Sequence, residues 1–232
     1  MADLKHKKHI FFDWDDTLWD FQKNSALVLE ELFSEYALKE KLNTGFENFL
    51  AAYKRLNLEF WSRYYKKQIS KEHIRNHRFN ETFKQFGYDN YEENLSITEQ
   101  YLGRAPKGIF LKDNCVDVLD YLKRNYTLHI ITNGFREVQD IKIDGCGLRG
   151  YFTNIIISEV HQLVKPEEKI FRLAEEMAGA RREECVMIGD SFESDIEGAI
   201  NAGWEAIYFS DSEIPAYTGR RIKTLHELKN LF

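Results

Sequence analysis

At 232 residues, 43% hydrophobic and 30% charged, the chain is long enough for one large globular domain or a core domain carrying an insertion. A formal net charge of -6 offers no attraction to nucleic acid polymers or anionic membranes, so neither is expected as a partner; it leaves room for a local positive pocket and leaves the oligomeric state open. No stretch approaches the ~18 consecutive apolar residues of a membrane span, residues 1–9 lack the apolar segment of a secretory signal, and Cys115, Cys146 and Cys185 have no metal-ligand spacing, so thiols in a reducing cytoplasm are expected.

In chain order, residues 9–12 form a short apolar run that ends at Asp13-Trp14-Asp15-Asp16-Thr17. Residues 20–104 then show only helical spacing. Ala26, Leu29, Leu32, Phe33 and Tyr36 make one stripe, and Phe46, Phe49, Leu50, Tyr53, Leu56, Phe60 and Tyr64 make a second. Further helices are expected to start near Ser70 and Tyr91, with the chain leaving this region around Arg104-Ala105-Pro106-Lys107. Asp113 is placed to cap a helix carrying Val116, Leu119, Tyr121 and Leu122. Apolar runs return at 128–131, 154–157, 185–188 and 206–209, continuous rather than alternating, as suits parallel strands covered on both faces. Pro166 with Glu167 and Glu168 predicts the first turn of another helix. The expected fold is α/β, a Rossmann-like doubly wound parallel sheet from residues 1–19 and 105–232, with an all-helical domain, 20–104, inserted after the first strand.

Four signals follow strand ends or precede a helix. Asp13 and Asp15, one residue apart, can divide labour between a nucleophilic carboxylate and a proton donor and acceptor, or can simply cap a turn. Thr132-Asn133-Gly134 offers a hydroxyl and flexible backbone N–H groups to phosphate oxygens, or an ordinary helix start. Lys165-Pro166 offers a cation that is otherwise a surface lysine. Asp190 and Asp195, in Gly189-Asp190-Ser191-Phe192-Glu193-Ser194-Asp195, suit a hard cation, while Ser194 or Asp195 also suits a helix cap. Ligands of open parallel sheets bind outside the carboxyl ends of the strands, so these signals converge. Each like-charge pair at ~4 Å costs roughly 4 kcal/mol at an effective dielectric of ~20. A divalent cation relieves that repulsion, and an all-oxygen donor set favours Mg²⁺ over Zn²⁺.

With these motifs in this order, the chain resembles haloacid dehalogenase superfamily hydrolases of the phosphatase kind with a helical cap, over essentially its full length. Phe11-Phe12-Asp13-Trp14-Asp15-Asp16-Thr17-Leu18-Trp19, Ile131-Thr132-Asn133-Gly134-Phe135, Gly147-Leu148-Arg149-Gly150-Tyr151-Phe152 and Glu168-Lys169-Ile170-Phe171 are similar to bacterial pyrimidine-type 5'-nucleotidases. The resemblance implies that Asp13 is the nucleophile and an Mg²⁺ ligand, and that Asp15 is the general acid and base, with its backbone carbonyl on the metal. It implies Thr132, Asn133 and Lys165 at the phosphoryl group, Asp190 on Mg²⁺, and Asp195 behind it, on a metal-bound water or on Lys165. The substrate is then a small phosphorylated metabolite, a nucleotide first, with a sugar phosphate as the alternative; a haloacid dehalogenase and a non-catalytic phosphate sensor are the further alternatives. Two departures stand out: Trp14 is bulky between two acids, and His161-Gln162-Leu163-Val164 precedes Lys165 where relatives often carry glycine. His161 is expected to face solvent, with a substrate contact as the alternative; Trp19 and Phe21, near the hinge, are candidate substrate contacts that are expected to pack in a core instead; and Arg78 is expected to be exposed on the cap. Tyr53, Phe60, Trp61, Tyr64 and Tyr65 supply rings of which one could stack on a base while most pack the cap.

Overall fold

The computed structural model describes residues 4–211 and 217–232. The chain divides into two compact units, Met1–Phe21 with Ile109–Phe232, and Gln22–Gly108. After β1 (His9–Phe12) come α1 (Phe21–Glu35), α2 (Leu38–Leu42), α3 (Phe46–Tyr65), α4 (Lys71–Lys84) and α5 (Tyr91–Arg104). There follow α6 (Cys115–Leu122), β2 (Thr127–Thr132), α7 (Arg136–Gly145), β3 (Asn154–Ile157), α8 (Ser158–His161) and α9 (Glu168–Ala178). The chain ends through β4 (Cys185–Gly189), α10 (Gly198–Asn201), β5 (Glu205–Phe209) and β6 (Arg220–Ile222). A π-helical segment, Phe192–Glu197, leads into α10.

The strands pair in parallel in the order β3-β2-β1-β4-β5-β6. Successive residues of a strand point to opposite faces, and the sequence is apolar on both. Ile10, Phe12, Leu128, Ile130, Val186, Ile188 and Ile207 therefore enter one core with Val118, Leu119 and Leu122 of α6. Phe11, Ile131, Met187, Ala206 and Tyr208 enter the other with Ile170, Phe171 and Ala174 of α9. Helices on both faces make the sheet doubly wound, as the five apolar runs predict. The sixth strand was not foreseen: β6 is three residues long, carries Arg220 and Arg221, and pairs only with β5 at the sheet edge.

The helical unit closes on its own core of Leu29, Leu32, Phe49, Tyr53, Phe79, Phe83, Ile97 and Tyr101. Ser70 starts α4 by accepting a hydrogen bond from the His73 N–H at 3.1 Å, and Asn90 starts α5 by accepting one from Glu93 N–H at 3.1 Å. Arg78, expected to be exposed, is buried. It lies on the inward stripe with Ile74 and Thr82, donates to Asn57 Oδ1 at 2.7 Å, and its guanidinium sits 5.3 Å from the ring centres of both Tyr53 and Tyr101. Aromatic faces offset the loss of water around that cation. Tyr53 and Phe60 are buried, whereas Trp61, Tyr64 and Tyr65 are half-buried and pack edge-on or tilted against one another. Among the described residues, no helix is long and apolar enough to cross a membrane.

Two helix starts differ from expectation. Asn114, in left-handed backbone (φ 63°), rather than Asp113, precedes α6. Pro166 lies before α9 rather than in its first turn, because the Lys165-Pro166 segment forms a separate turn and the helix begins only at Glu168. Glu167 N–H closes that turn onto Val164 O at 2.8 Å.

Candidate active site

The strand order reverses between β1 and β4, so the carboxyl ends of these neighbours open a crevice at the middle of the sheet. Asp13 follows β1 directly and Asp190 follows β4, with Asp13 N–H tied to Ile188 O at 2.9 Å. Thr132 ends β2 on the other side of β1. Trp14 causes no obstruction, because its side chain turns wholly into the sheet core, edge-on to Phe152 at 6.5 Å.

Lys165 is the hub of the site. Its ammonium, 1% exposed, donates to Asp13 Oδ1 at 2.7 Å, Asp195 Oδ1 at 2.6 Å and Ile131 O at 2.7 Å. An ammonium has three donors, and all three are used. Burial alone would lower the Lys165 pKa, but Asp13 and Asp195 outweigh it and hold the group above its ordinary value. Burial pushes Asp13 up to about 7 despite the nearby Lys165 charge, with Asp195 and Asp15 adding to the rise. The Asp190 carboxyl is raised well above its ordinary value, by burial first and then by Asp13, Asp195 and Asp16.

Three local features hold these groups. Asn133 donates from its side-chain amide to Lys165 O at 3.0 Å and accepts from Lys165 N–H at 2.9 Å, so its side chain fixes the lysine loop. This clasp shapes the loop His161-Gln162-Leu163-Val164 that leads to Lys165. Asp195 accepts from Ser191 N–H at 3.0 Å through its second oxygen. A Cβ on Gly189 would lie 2.1 Å from Asp195 Oδ2, so the approach of that carboxylate requires glycine. Ser191, rather than Ser194 or Asp195, caps the following turn by accepting from Ser194 N–H at 3.3 Å.

Asp15 is held by two residues with no motif to announce them. Gln139 Nε2 donates to Asp15 Oδ2 at 2.8 Å and to Thr132 Oγ1 at 2.6 Å, and Lys142 Nζ donates to Asp15 Oδ1 at 2.6 Å. Both are buried, and they stand three apart on α7, where nothing in the sequence sets them apart from polar residues facing water. Thr132 does not cap α7, which starts after Phe135; its hydroxyl accepts instead from Gln139 and from Gly134 N–H at 3.2 Å. His161 ends the single-turn α8 and is half-buried rather than on an open loop. Trp19 is buried in the sheet core, with Phe21 half-buried 6.3 Å away.

Asp13, Asp190 and Asp195 each offer a carboxylate oxygen within 4.8 Å of the others. The Asp190 carboxyl is raised first by burial and then by the neighbouring acids Asp13, Asp195 and Asp16, a crowding of like charge that a cation would relieve, and Thr17 Oγ1, donating at 3.3 Å, is its one side-chain hydrogen-bond partner among the described residues. Oxygen donors alone, some with open lone pairs, fit a hard divalent cation such as Mg²⁺. Asp195 has an oxygen on Lys165 and the other on Ser191, so Asp13 and Asp190 are the better direct ligands. The Asp15 side chain stands outside this group, with its two oxygens on Gln139 and Lys142.

Residues 7–203 match the family of haloacid dehalogenase-like hydrolases. The pyrimidine 5'-nucleotidase PynA of Streptococcus pneumoniae is 32% identical over 91% of this chain and 87% of its own length. The pyrimidine 5'-nucleotidase YjjG of Escherichia coli is 30% identical over 96% of each. The crystal structure of the HAD-hydrolase YfnB of Bacillus subtilis, bound to magnesium, superposes with a TM-score of 0.85 at 28% identity over 97% of both chains. The doubly wound sheet, the acids at its switch point and this similarity across nearly the whole chain make the protein an enzyme, and it belongs to the haloacid dehalogenase-like hydrolases.

Proposed function

We propose that the protein hydrolyses phosphate monoesters with Mg²⁺ through an aspartyl-phosphate on Asp13, and that nucleoside 5'-monophosphates, pyrimidines foremost, are its substrates. The observation that carries this reading is the pairing of Asp13 with Lys165 at 2.7 Å at the end of β1, with Asp15 two residues on and Asp190 at the end of β4. The similarity to PynA and YjjG, both pyrimidine 5'-nucleotidases, supports the substrate class.

In this mechanism an Asp13 oxygen attacks phosphorus as the bond to the departing alkoxide breaks, and Asp15 donates a proton to that alkoxide. Asp15 then takes a proton from water, whose oxygen attacks the phosphorus and releases Asp13 with inorganic phosphate. Lys165 and the Thr132 hydroxyl offset charge on the phosphoryl oxygens, and Asn133 contributes its backbone N–H. Mg²⁺, held by Asp13, Asp190 and the Asp15 carbonyl with Asp195 behind, would add positive charge at the same oxygens. Cys115, Cys146 and Cys185 form no disulfide, which suits a cytoplasmic enzyme working on small metabolites.

Steady-state kinetics on dUMP, dTMP, UMP, AMP and hexose phosphates, with Mg²⁺ and with chelator, test the proposal. The expected result is metal-dependent phosphate release with the highest kcat/KM on a pyrimidine nucleotide. A sugar phosphate exceeding the best nucleotide by about tenfold, or about 1.4 kcal/mol of transition-state preference, overturns the substrate class and leaves the chemistry standing.

A further inference from the structure

We infer that Gln139 and Lys142 are positioning residues that hold the Asp15 carboxylate in its working orientation, a role that rests on the phosphatase reading. Asp15 sits on the partly open side of the site, its side chain 31% exposed, and a carboxylate there would ordinarily rotate among rotamers and exchange hydrogen bonds with water. Here each oxygen has its own fixed donor: Gln139 Nε2 at 2.8 Å on one, Lys142 Nζ at 2.6 Å on the other. Both donors come from a single helix face, three residues apart, so they move as one body.

The donors are themselves immobilised. Gln139 is fully buried, and its amide lies over Gly134, where a Cβ would stand 2.3 Å from Nε2. Its Oε1 has no hydrogen-bond partner among the described residues, an unfavourable arrangement that goes with aiming both amide protons at Asp15 and Thr132. A side chain whose job was only to fill the core would be as well served by leucine. The Lys142 ammonium lies over the Trp19 ring, 4.3 Å from its centre, a cation–π contact that restricts it further. Gln139 also joins Asp15 to Thr132, so the proton-transferring group and the phosphate-binding hydroxyl share one support. Preorganisation of this kind raises rate rather than affinity, since misplacement by about 1 Å can cost about a hundredfold.

The test is a double-mutant cycle between Lys142→Met and Asp15→Asn, with p-nitrophenyl phosphate and Mg²⁺ as the probe. Nitrophenolate leaves without protonation, so the first step survives a misplaced Asp15 while hydrolysis of the phosphoenzyme does not. Lys142→Met is expected to lower kcat by about tenfold or more, lower KM in step so that kcat/KM changes by less than about threefold, and produce a pre-steady-state burst of nitrophenol. In the Asp15→Asn background the same substitution is expected to change kcat by less than about twofold, because its effect runs through Asp15. Gln139→Met, read in the same cycle, decides the matter if Lys142→Met proves unfolded in a thermal melt. Equal losses in both backgrounds, a wild-type rate in the single variants, or a change in KM alone overturns the inference. Full activity in Asp15→Asn itself overturns the underlying mechanism, and the inference with it.

Discussion

Asn133 and Lys165 clasp each other through one side chain and one backbone: the Asn133 amide accepts from Lys165 N–H at 2.9 Å and donates to Lys165 O at 3.0 Å. The pair lies on two different loops, after β2 and before α9, and no other side chain makes both bonds. Asn133→Ala leaves two buried backbone groups without partners, at about 1–3 kcal/mol each. The expected outcome is a lowered melting temperature together with a kcat reduced by about tenfold or more, since the lysine loop is released. Thermal unfolding and phosphate release measure the two effects. An unchanged kcat in a destabilised protein restricts Asn133 to a scaffolding part.

Asp13→Asn is expected to abolish turnover with the fold intact, because an amide cannot form the phosphoenzyme. Circular dichroism and phosphate release check both halves. Retention of a tenth of the wild-type rate removes Asp13 from the nucleophile's place.

Mg²⁺ is expected to raise thermal stability, by about 2.7 kcal/mol at a hundred times its Kd, because it binds the folded state alone. Asp190→Ala should abolish most of that shift by removing a ligand at the end of β4. A melting temperature indifferent to Mg²⁺ in the unsubstituted protein would falsify metal binding at these acids.

Within the sheet, His129 lies fully buried between neighbouring strands. The Asn154 amide donates to His129 Nδ1 at 3.2 Å, so the ring proton is on Nε2, which donates to His9 Nδ1 at 3.1 Å. A second proton would face the Asn154 donor. Burial, and then His9, lowers the His129 pKa to about 4. A depressed histidine means the unfolded chain binds the extra proton first. This group's contribution is therefore complete above pH about 6.5 and is lost as pH falls from there to about 4, by at most about 3 kcal/mol. Urea titrations at pH 7, 5.5 and 4.5 should show a shallower acid loss in His129→Gln than in the unsubstituted protein. Parallel pH dependences would assign the acid loss to other groups.

The five long strands were readable because a strand buried on both faces has an apolar residue at nearly every position, as Ile130 and Ile131 show. β6 was not, since three residues with two arginines at an edge carry no such run. The four motif acids and Lys165 could be grouped from the sequence because chemistry at strand ends leaves short, recognisable strings. Gln139, Lys142 and Arg78 leave no string: each is a polar residue on the inward stripe of a helix, and composition alone cannot separate it from one facing water. Only the partner, Asp15 in one case and Asn57 with two tyrosine rings in the other, makes inward placement favourable. Asn133 was legible as a loop residue after a strand, but not as the clasp on a lysine in another loop.

The position of β1 has a consequence for how the molecule is made. β1 is flanked by β2 and β4, and its Phe12 pairs with Ile130 on one side and Ile188 on the other. Emerging from the ribosome, β1 must wait for more than a hundred residues before its first neighbour exists and longer still for its second. Closing so large a loop is slow, because entropy is spent before any pairing is gained. Until β4 arrives, β1 keeps an apolar edge with unpaired backbone groups, the feature through which nascent chains stick to one another. The helical unit is built from contiguous residues 22–108, so everything its own core needs is present in the chain while the sheet still lacks strands. Asp13 and Asp190 meet only at the end of that interval, so no partial chain acquires the acid cluster.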